Sequence, residues 1–470
     1  MGSLLLIPGL ALPWLLGIIV LLAWRSAQRP LTTPGEIAWI AGAGFFTGAF
    51  VLTLWMRLLS LAGIKFSLLL VGGPLLVVAV VLAIVVARRG KGAAPQDLRA
   101  ALRGALTVPE FAPMLRIVWW LLLAWLGLRL ALLAVEVFSR PLYPWDAWMQ
   151  WATKARVWYE LGNIAPFARI NEWLAANGAA YFDAAPEYPP TMPLLQVWSC
   201  LALGRWDDTL MNGGWWQIAI ALALVVYGGL RTLGVAALAA LVGTVLMASL
   251  PLANVHVALA GYADLPLAAW YTTAALAFLR WNQRRDWREA VLVVLLLAAC
   301  TQIKNPGYFW ALTLVPAVLV ATLPRLGMRI TVAGFAAAFI ALIALAQFRL
   351  SIFNYQLKLD FDPAWGDLIQ SYFLLGNWHL LWFGVIAAAA LAWRSLLQPA
   401  LAPLTTMVAA GFMFLFFVFA FTNASAYITD QTTVNRATLH LAPLMVVFMV
   451  LAWSAFAQRW HVTHPAPSIA

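Results

Sequence analysis

Apolar runs of about 20 residues recur from one end of this chain to the other, each long enough to cross a hydrocarbon layer as a helix. Lipid offers the backbone no hydrogen-bond partners, so only helices and closed barrels can live in it. These runs are too long and too continuous for barrel strands, which alternate in short segments. The predicted fold is therefore an all-α integral membrane protein. Composition agrees. The chain is 64% hydrophobic and 10% charged, where a soluble domain is about half apolar and a quarter charged. About thirteen transmembrane helices are expected, near 4–24, 36–56, 66–87, 116–138, 211–230, 235–255, 262–280, 289–303, 307–323, 330–350, 377–393, 402–421 and 437–457.

Alternating these spans sorts the connections onto two sides. One of them, with the connections near 25–35, 88–115 and 281–288, carries +12 and the other −2, and Arg129 inside a span completes the net charge of +11. The positive-inside rule makes that side cytoplasmic and the other, which holds 139–210, the outer face. The N-terminus is then outside and the C-terminus cytoplasmic. The basic charge reads as orientation, not as a nucleic-acid site, and blocks such as Arg88-Arg89-Gly90-Lys91 and Arg284-Arg285 read as anchors to anionic headgroups. Cys200 and Cys300 lie in or beside apolar segments and are expected to be free, packed thiols. The five histidines show no zinc spacing, and no Walker or dinucleotide-binding motif appears.

The long connection 88–115, with Pro95, Pro109 and Pro113, divides the chain. Residues 1–115 are expected to form an N-terminal three-helix membrane extension with a cytoplasmic linker, and 116–470 a transmembrane core. The outer-face loop 139–210 is the longest stretch that cannot sit in lipid. Within it, 146–161 reads as an amphipathic interfacial helix, with Trp148, Trp151, Ala155 and Trp158 on one face and Gln150, Lys154 and Arg156 mostly on another. Gly162-Asn163 ends it. The run 192–204 is too short to span and suits a re-entrant or interfacial segment.

Several ionisable residues gather at the outer ends of the spans. Asp146, between Trp145 and Trp148, is either a helix N-cap or a carboxylate able to take a proton from a hydroxyl. Asp264 begins a span just before Pro266, and reads either as a cap or as a second acid lining the same cavity. Lys304 breaks two apolar runs in Thr301-Gln302-Ile303-Lys304-Asn305-Pro306-Gly307, so it needs a carboxylate or a phosphate unless it snorkels to the headgroups. Arg436 and His440, four apart, share a helix face and suit an anionic group, with a structural Arg436–Asp430 pair as the alternative. Asp207, Asp208, Asp360 and Asp362 read as solvated loop charges.

The order of these pieces resembles the polytopic glycosyltransferases of the GT-C class, with protein O-mannosyltransferases and lipid A aminoarabinose transferases as the nearest types. The resemblance is carried by Trp145-Asp146-Ala147-Trp148, Glu187-Tyr188-Pro189-Pro190, Gly261-Tyr262-Ala263-Asp264-Leu265-Pro266, the break at Lys304, and Asn435-Arg436-Ala437-Thr438-Leu439-His440. It covers about residues 116–460 and departs from the class in its three preceding helices, its single acid between tryptophans and its Pro306.

The resemblance implies a sugar donor on a polyprenyl phosphate or diphosphate, and a lipid, glycan or protein acceptor. It implies Asp146 as general base in an inverting displacement. Lys304 and Arg436 would hold the leaving phosphate, with Lys154, Arg156 and His440 as helpers. Trp145, Trp148, Glu187, Tyr188 and Tyr262 would be loop and substrate residues, and Asp264 a second acidic site. Whether Asp146 and Asp264 hold a divalent metal, Mg or Mn, is left open. The expected location is a bacterial inner (plasma) membrane with the site facing the periplasm. The alternative function is a lipid or amphiphile transporter or flippase. Transport calls for ionisable groups near the midplane, where Arg129 is the main charge, so clustering at the outer ends favours the enzyme.

Overall fold

The computed structural model describes residues 2–463, except 26–29, 90–93, 345–348, 353–354, 359–360 and 362. Arg29, Lys91, Asp360 and Asp362 therefore lie outside the described residues. The chain is a helical bundle. Seven described helices are long and apolar enough to cross a membrane: Leu5–Trp24, Glu36–Leu61, Leu68–Arg88, Pro113–Ser139, Leu210–Thr232, Ala402–Phe421 and Ala442–Trp460. Ala237–Ala248 and Pro251–Ala258 make an eighth if counted together, bent by 59° at Ser249-Leu250. Pro251 has no N–H to continue the ladder, which accounts for the break.

The other apolar segments also form helix, but in shorter or more polar pieces. Trp287–Thr301 has 15 residues, about 22 Å of helix against a hydrocarbon core of about 30 Å. Residues 307–323 divide into Gly307–Leu312 and Leu314–Thr322. The segment expected to stay helical to residue 350 gives way to a two-stranded antiparallel hairpin, Arg349–Ile352 with Tyr355–Lys358.

One helix is the axis of the bundle. Every residue of Asp264–Arg284 from Asp264 to Arg280 is buried. Because it faces protein all round, it tolerates polar side chains that lipid would exclude. The buried Tyr271 hydroxyl, for example, shares a 2.6 Å hydrogen bond with the Thr313 hydroxyl.

The described helices of the N-terminal extension pack against this core. At one end of the axial helix, Arg280 donates to Glu289 Oε1 from Nε (2.9 Å) and Nη2 (2.6 Å), and to both oxygens of Glu36 at 3.1 Å. Its guanidinium lies 4.5 Å from the Trp39 ring centre. Near the other end, Trp198 and Gln217 donate to the backbone carbonyls of Gly9 and Leu10. Arg280→Gln leaves two buried carboxylates without their cation, and is expected to cost about 3–5 kcal/mol. Unfolding of the detergent-solubilised protein measures this. Arg280→Lys, which keeps the charge but not the planar fork, should fall between the two.

The loop 139–210 is folded against the bundle. Its first helix opens as a wide π turn, Ala147–Trp151, continues as Ala152–Leu161, and ends at Gly162 with φ +67°. A π turn rotates everything downstream relative to a regular helix. Trp151, Ala155 and Trp158 are buried as expected, but Trp148 points outward and Lys154 lies inside at 1% exposure. This corrects the expectation that Trp148 shares the apolar face and Lys154 the polar one. Residues 192–204 form the helix Thr191–Leu203, whose side chains are nearly all buried in protein. Cys200 and Cys300 are free and buried.

Candidate active site

Three separate stretches of sequence meet at one carboxylate, and a fourth joins them through Arg436. Asp264 stands in the first turn of the axial helix, where the helix dipole favours an anion. Its Oδ1 accepts from Lys304 Nζ at 2.5 Å and from His440 Nε2 at 2.9 Å. Its Oδ2 accepts from Arg436 Nε at 3.0 Å and Nη2 at 2.9 Å. The Asp264 side chain is only 1% exposed, so it is sealed off from any ligand.

Arg436 faces two ways. Its Nη2 also donates to Asp146 Oδ2, across 290 residues of sequence. Asp146 and Arg436 keep 16% and 26% of their side-chain surface exposed. The cluster thus has a closed floor at Asp264 and an open rim at Asp146. The Arg436 guanidinium also lies 4.7 Å from the centre of the Tyr262 ring, and the imidazole of His256 packs against that same ring at 4.8 Å.

Local structure explains each position. Lys304 sits in a tight break between Trp287–Thr301 and Gly307–Leu312, closed by a bond from Gly307 N to Lys304 O at 2.8 Å. Its ammonium turns inward to Asp264 instead of snorkelling outward. Arg436 and His440 lie one turn apart at the end of Thr433–Leu439 and reach the same carboxylate. Asp430 bonds instead to the Thr432 amide and hydroxyl at 2.9 Å, so the alternative Arg436–Asp430 pair does not form. Asp146 makes no cap bond to its own helix. Its carboxylate is spent on Arg436, which removes the N-cap reading.

The network also sets the histidine. Trp310 Nε1, which can only donate, points at His440 Nδ1 at 3.0 Å. This assigns the proton to Nε2, so His440 is neutral and donates to Asp264. Two carboxylates then face two cations. Burial alone would lower the Arg436 pKa, but Asp264 and Asp146 hold it above its ordinary value. For Lys304 burial prevails over the attraction of Asp264, and its pKa falls.

Other expected site residues lie outside this cluster. Lys154 does not join the cluster. It is buried with Asp183, Nζ to Oδ1 at 3.2 Å, and donates to Ala185 O at 2.6 Å. Burial pushes Lys154 down and Asp183 up from their ordinary pKa values, and their mutual attraction opposes both shifts. Arg156 is half-exposed, paired with Glu160 at 2.7 Å and 5.0 Å from the Trp206 ring centre. Glu187 pairs with Arg169 at 3.2 Å, and Tyr188 stacks on Trp151 at 5.1 Å. Trp145 and Trp148 are exposed beside the rim.

Among the described residues no group of three or more His, Cys, Asp or Glu is arranged to hold a metal. The pair Asp146 and Asp264 does not fit one either. The Arg436 guanidinium stands between their carboxylates, and Lys304 takes the remaining side of Asp264.

Sequence reasoning gave no role to Trp310, His256 or Gly261. Gly261 has φ +116°, and a Cβ there would come within 2.3 Å of the Ala147 Cβ, next to Asp146. A glycine three residues before Asp264 was its only signal. No family model, curated protein or solved structure matches this chain.

Proposed function

We propose that this cluster is the active site of a GT-C-like membrane glycosyltransferase, one that moves a sugar from a polyprenyl phosphate or diphosphate to an acceptor hydroxyl. The observation that carries the reading is Arg436, which joins an accessible carboxylate, Asp146, to a sealed one, Asp264, beside a second cation, Lys304. An anionic leaving group needs fixed cations where its charge grows. The acceptor oxygen attacks the anomeric carbon, its proton passes to Asp146, and the sugar–oxygen bond breaks with the electron pair leaving on the lipid phosphate. Configuration inverts. Asp264 does no chemistry. It anchors Lys304 and Arg436 so that they meet the phosphate without reorganising.

The pairing of Asp146 with Arg436 suits an enzyme at rest. An arriving phosphate competes for the outer edge of Arg436 and frees Asp146 to accept a proton. In this reading all thirteen apolar segments traverse or re-enter the bilayer, with the site at the outer, periplasmic face of a bacterial plasma membrane. The exposed Trp145 and Trp148 lie at that interface.

The test is transfer from radiolabelled polyprenyl-phosphate sugars by the purified protein. Turnover supports the reading. A protein that transfers nothing but moves labelled lipid across vesicles is a transporter, a reading favoured by the helix broken at Ser249-Leu250 and the break at Lys304. Gly261→Ala is expected to lower transfer by about a hundredfold by displacing Ala147 and with it Asp146. Unchanged transfer would show that the contact yields without moving the base.

A further inference from the structure

Arg57 sits near the C-terminal end of Glu36–Leu61, in the part of the chain expected to be an N-terminal extension. Its Nη1 donates to Gln302 Oε1 at 2.6 Å and its Nη2 to Thr191 Oγ1 at 2.5 Å. Both acceptors are neutral. No carboxylate among the described residues pairs with it, and its Nε has no partner. The other buried cations near the bundle axis are matched: Arg280 by Glu36 and Glu289, Lys304 by Asp264, Lys154 by Asp183. A half-buried guanidinium with no counter-charge is costly, and one held by two neutral oxygens is oriented without being neutralised.

Its position gives the charge a use. Gln302 and Lys304 belong to the same break, two residues apart, at most about 7 Å of backbone. Thr191 follows the Glu187-Tyr188-Pro189-Pro190 turn that closes the outer loop, and its amide donates to Gln302 O at 3.4 Å. Arg57 therefore holds the break that carries Lys304, through Gln302. Its side chain keeps partial exposure.

We propose that Arg57, oriented by Thr191 and Gln302, is a second anion subsite that takes a phosphoryl group beside the Asp146–Arg436–Lys304 cluster. Arginine suits this role because its planar fork matches phosphoryl oxygens. Resting on the transfer reading, the subsite receives the further phosphoryl group of a diphosphate donor. The same chemistry would also hold the headgroup of an anionic membrane lipid.

The test is binding, so it does not depend on turnover. Wild type, Arg57→Gln and Arg57→Lys are placed in phosphatidylcholine nanodiscs and titrated with farnesyl diphosphate and farnesyl monophosphate. The expected result is at least a tenfold weaker diphosphate affinity for Arg57→Gln, a smaller loss for Arg57→Lys, and monophosphate affinity unchanged. Discs containing phosphatidylglycerol form a second arm. Lipid retained on native mass spectrometry by wild type but not by Arg57→Gln also supports the subsite and identifies the headgroup as its source. A wild type that binds neither probe nor lipid through Arg57, or an Arg57→Gln protein that matches it on both, overturns the proposal. Diphosphate binding through Arg57 without any sugar transfer would keep the subsite and sink the transfer reading. Thermal melting of both variants separates lost binding from lost folding.

Discussion

Asp146→Asn is expected to abolish most sugar transfer, by a factor of about a hundred or more, while leaving the fold intact. The substitution keeps the size of the side chain and one oxygen for Arg436, but no longer accepts a proton. Little stability should be lost, because Asp146 is on the open rim and Asp264 still neutralises Arg436 from below. The affinity for a lipid-phosphate donor should hold or rise, since the phosphate no longer competes with a carboxylate for Arg436. The two readouts together are diagnostic. Lost turnover with retained donor binding identifies the base. Equal turnover in both proteins would reduce Asp146 to an ion-pair partner and leave the base to be found elsewhere on the rim.

Asp264→Asn should do the reverse and strike stability as well as activity. Asp264 is almost fully buried and is the counter-charge for Lys304 and Arg436 at once. Removing its charge leaves those two cations facing each other with only Asp146 between them and water, a loss of about 3–5 kcal/mol on the scale of broken buried pairs. Unfolding in detergent measures it. The cause is checked by adding Lys304→Met, which removes one of the stranded cations. Stability should then recover in part, since residues of one buried network couple strongly. Transfer should not recover, because Lys304 is also needed to meet the leaving phosphate. If the double variant is less stable than Asp264→Asn by the full cost of Lys304→Met alone, the two residues act independently and the cluster is not the electrostatic unit described above.

Much of this was legible in the sequence. Long apolar runs leave a backbone few options, so the helical membrane architecture follows from composition and length. The same logic exposed the ionic cluster. A lone Asp, Lys or Arg among apolar residues must be compensated, which is why Asp146, Asp264, Lys304, Arg436 and His440 stood out and why all five meet in one cluster. Four-residue spacing predicted that Arg436 and His440 act together, because that spacing is a property of the helix itself.

Partners and rotation around a helix were not legible. Lys154 looked like a helper of the cluster, but it is buried with Asp183 instead. Arg436 had a near acid in sequence, Asp430, and a far one, Asp146, and the chain chose the far one. The sequence set the first helices apart as an extension, without naming what they touch; in the fold Glu36 pairs with Arg280 and Arg57 bonds Gln302. Hydrophobic period and local spacing are properties of one segment, and the sequence by itself determined those: a bundle of apolar helices with ionisable groups at the helix ends. Which carboxylate closes on which cation, and which cation is left open, depends on groups tens to hundreds of residues apart, so only the packed bundle decided it.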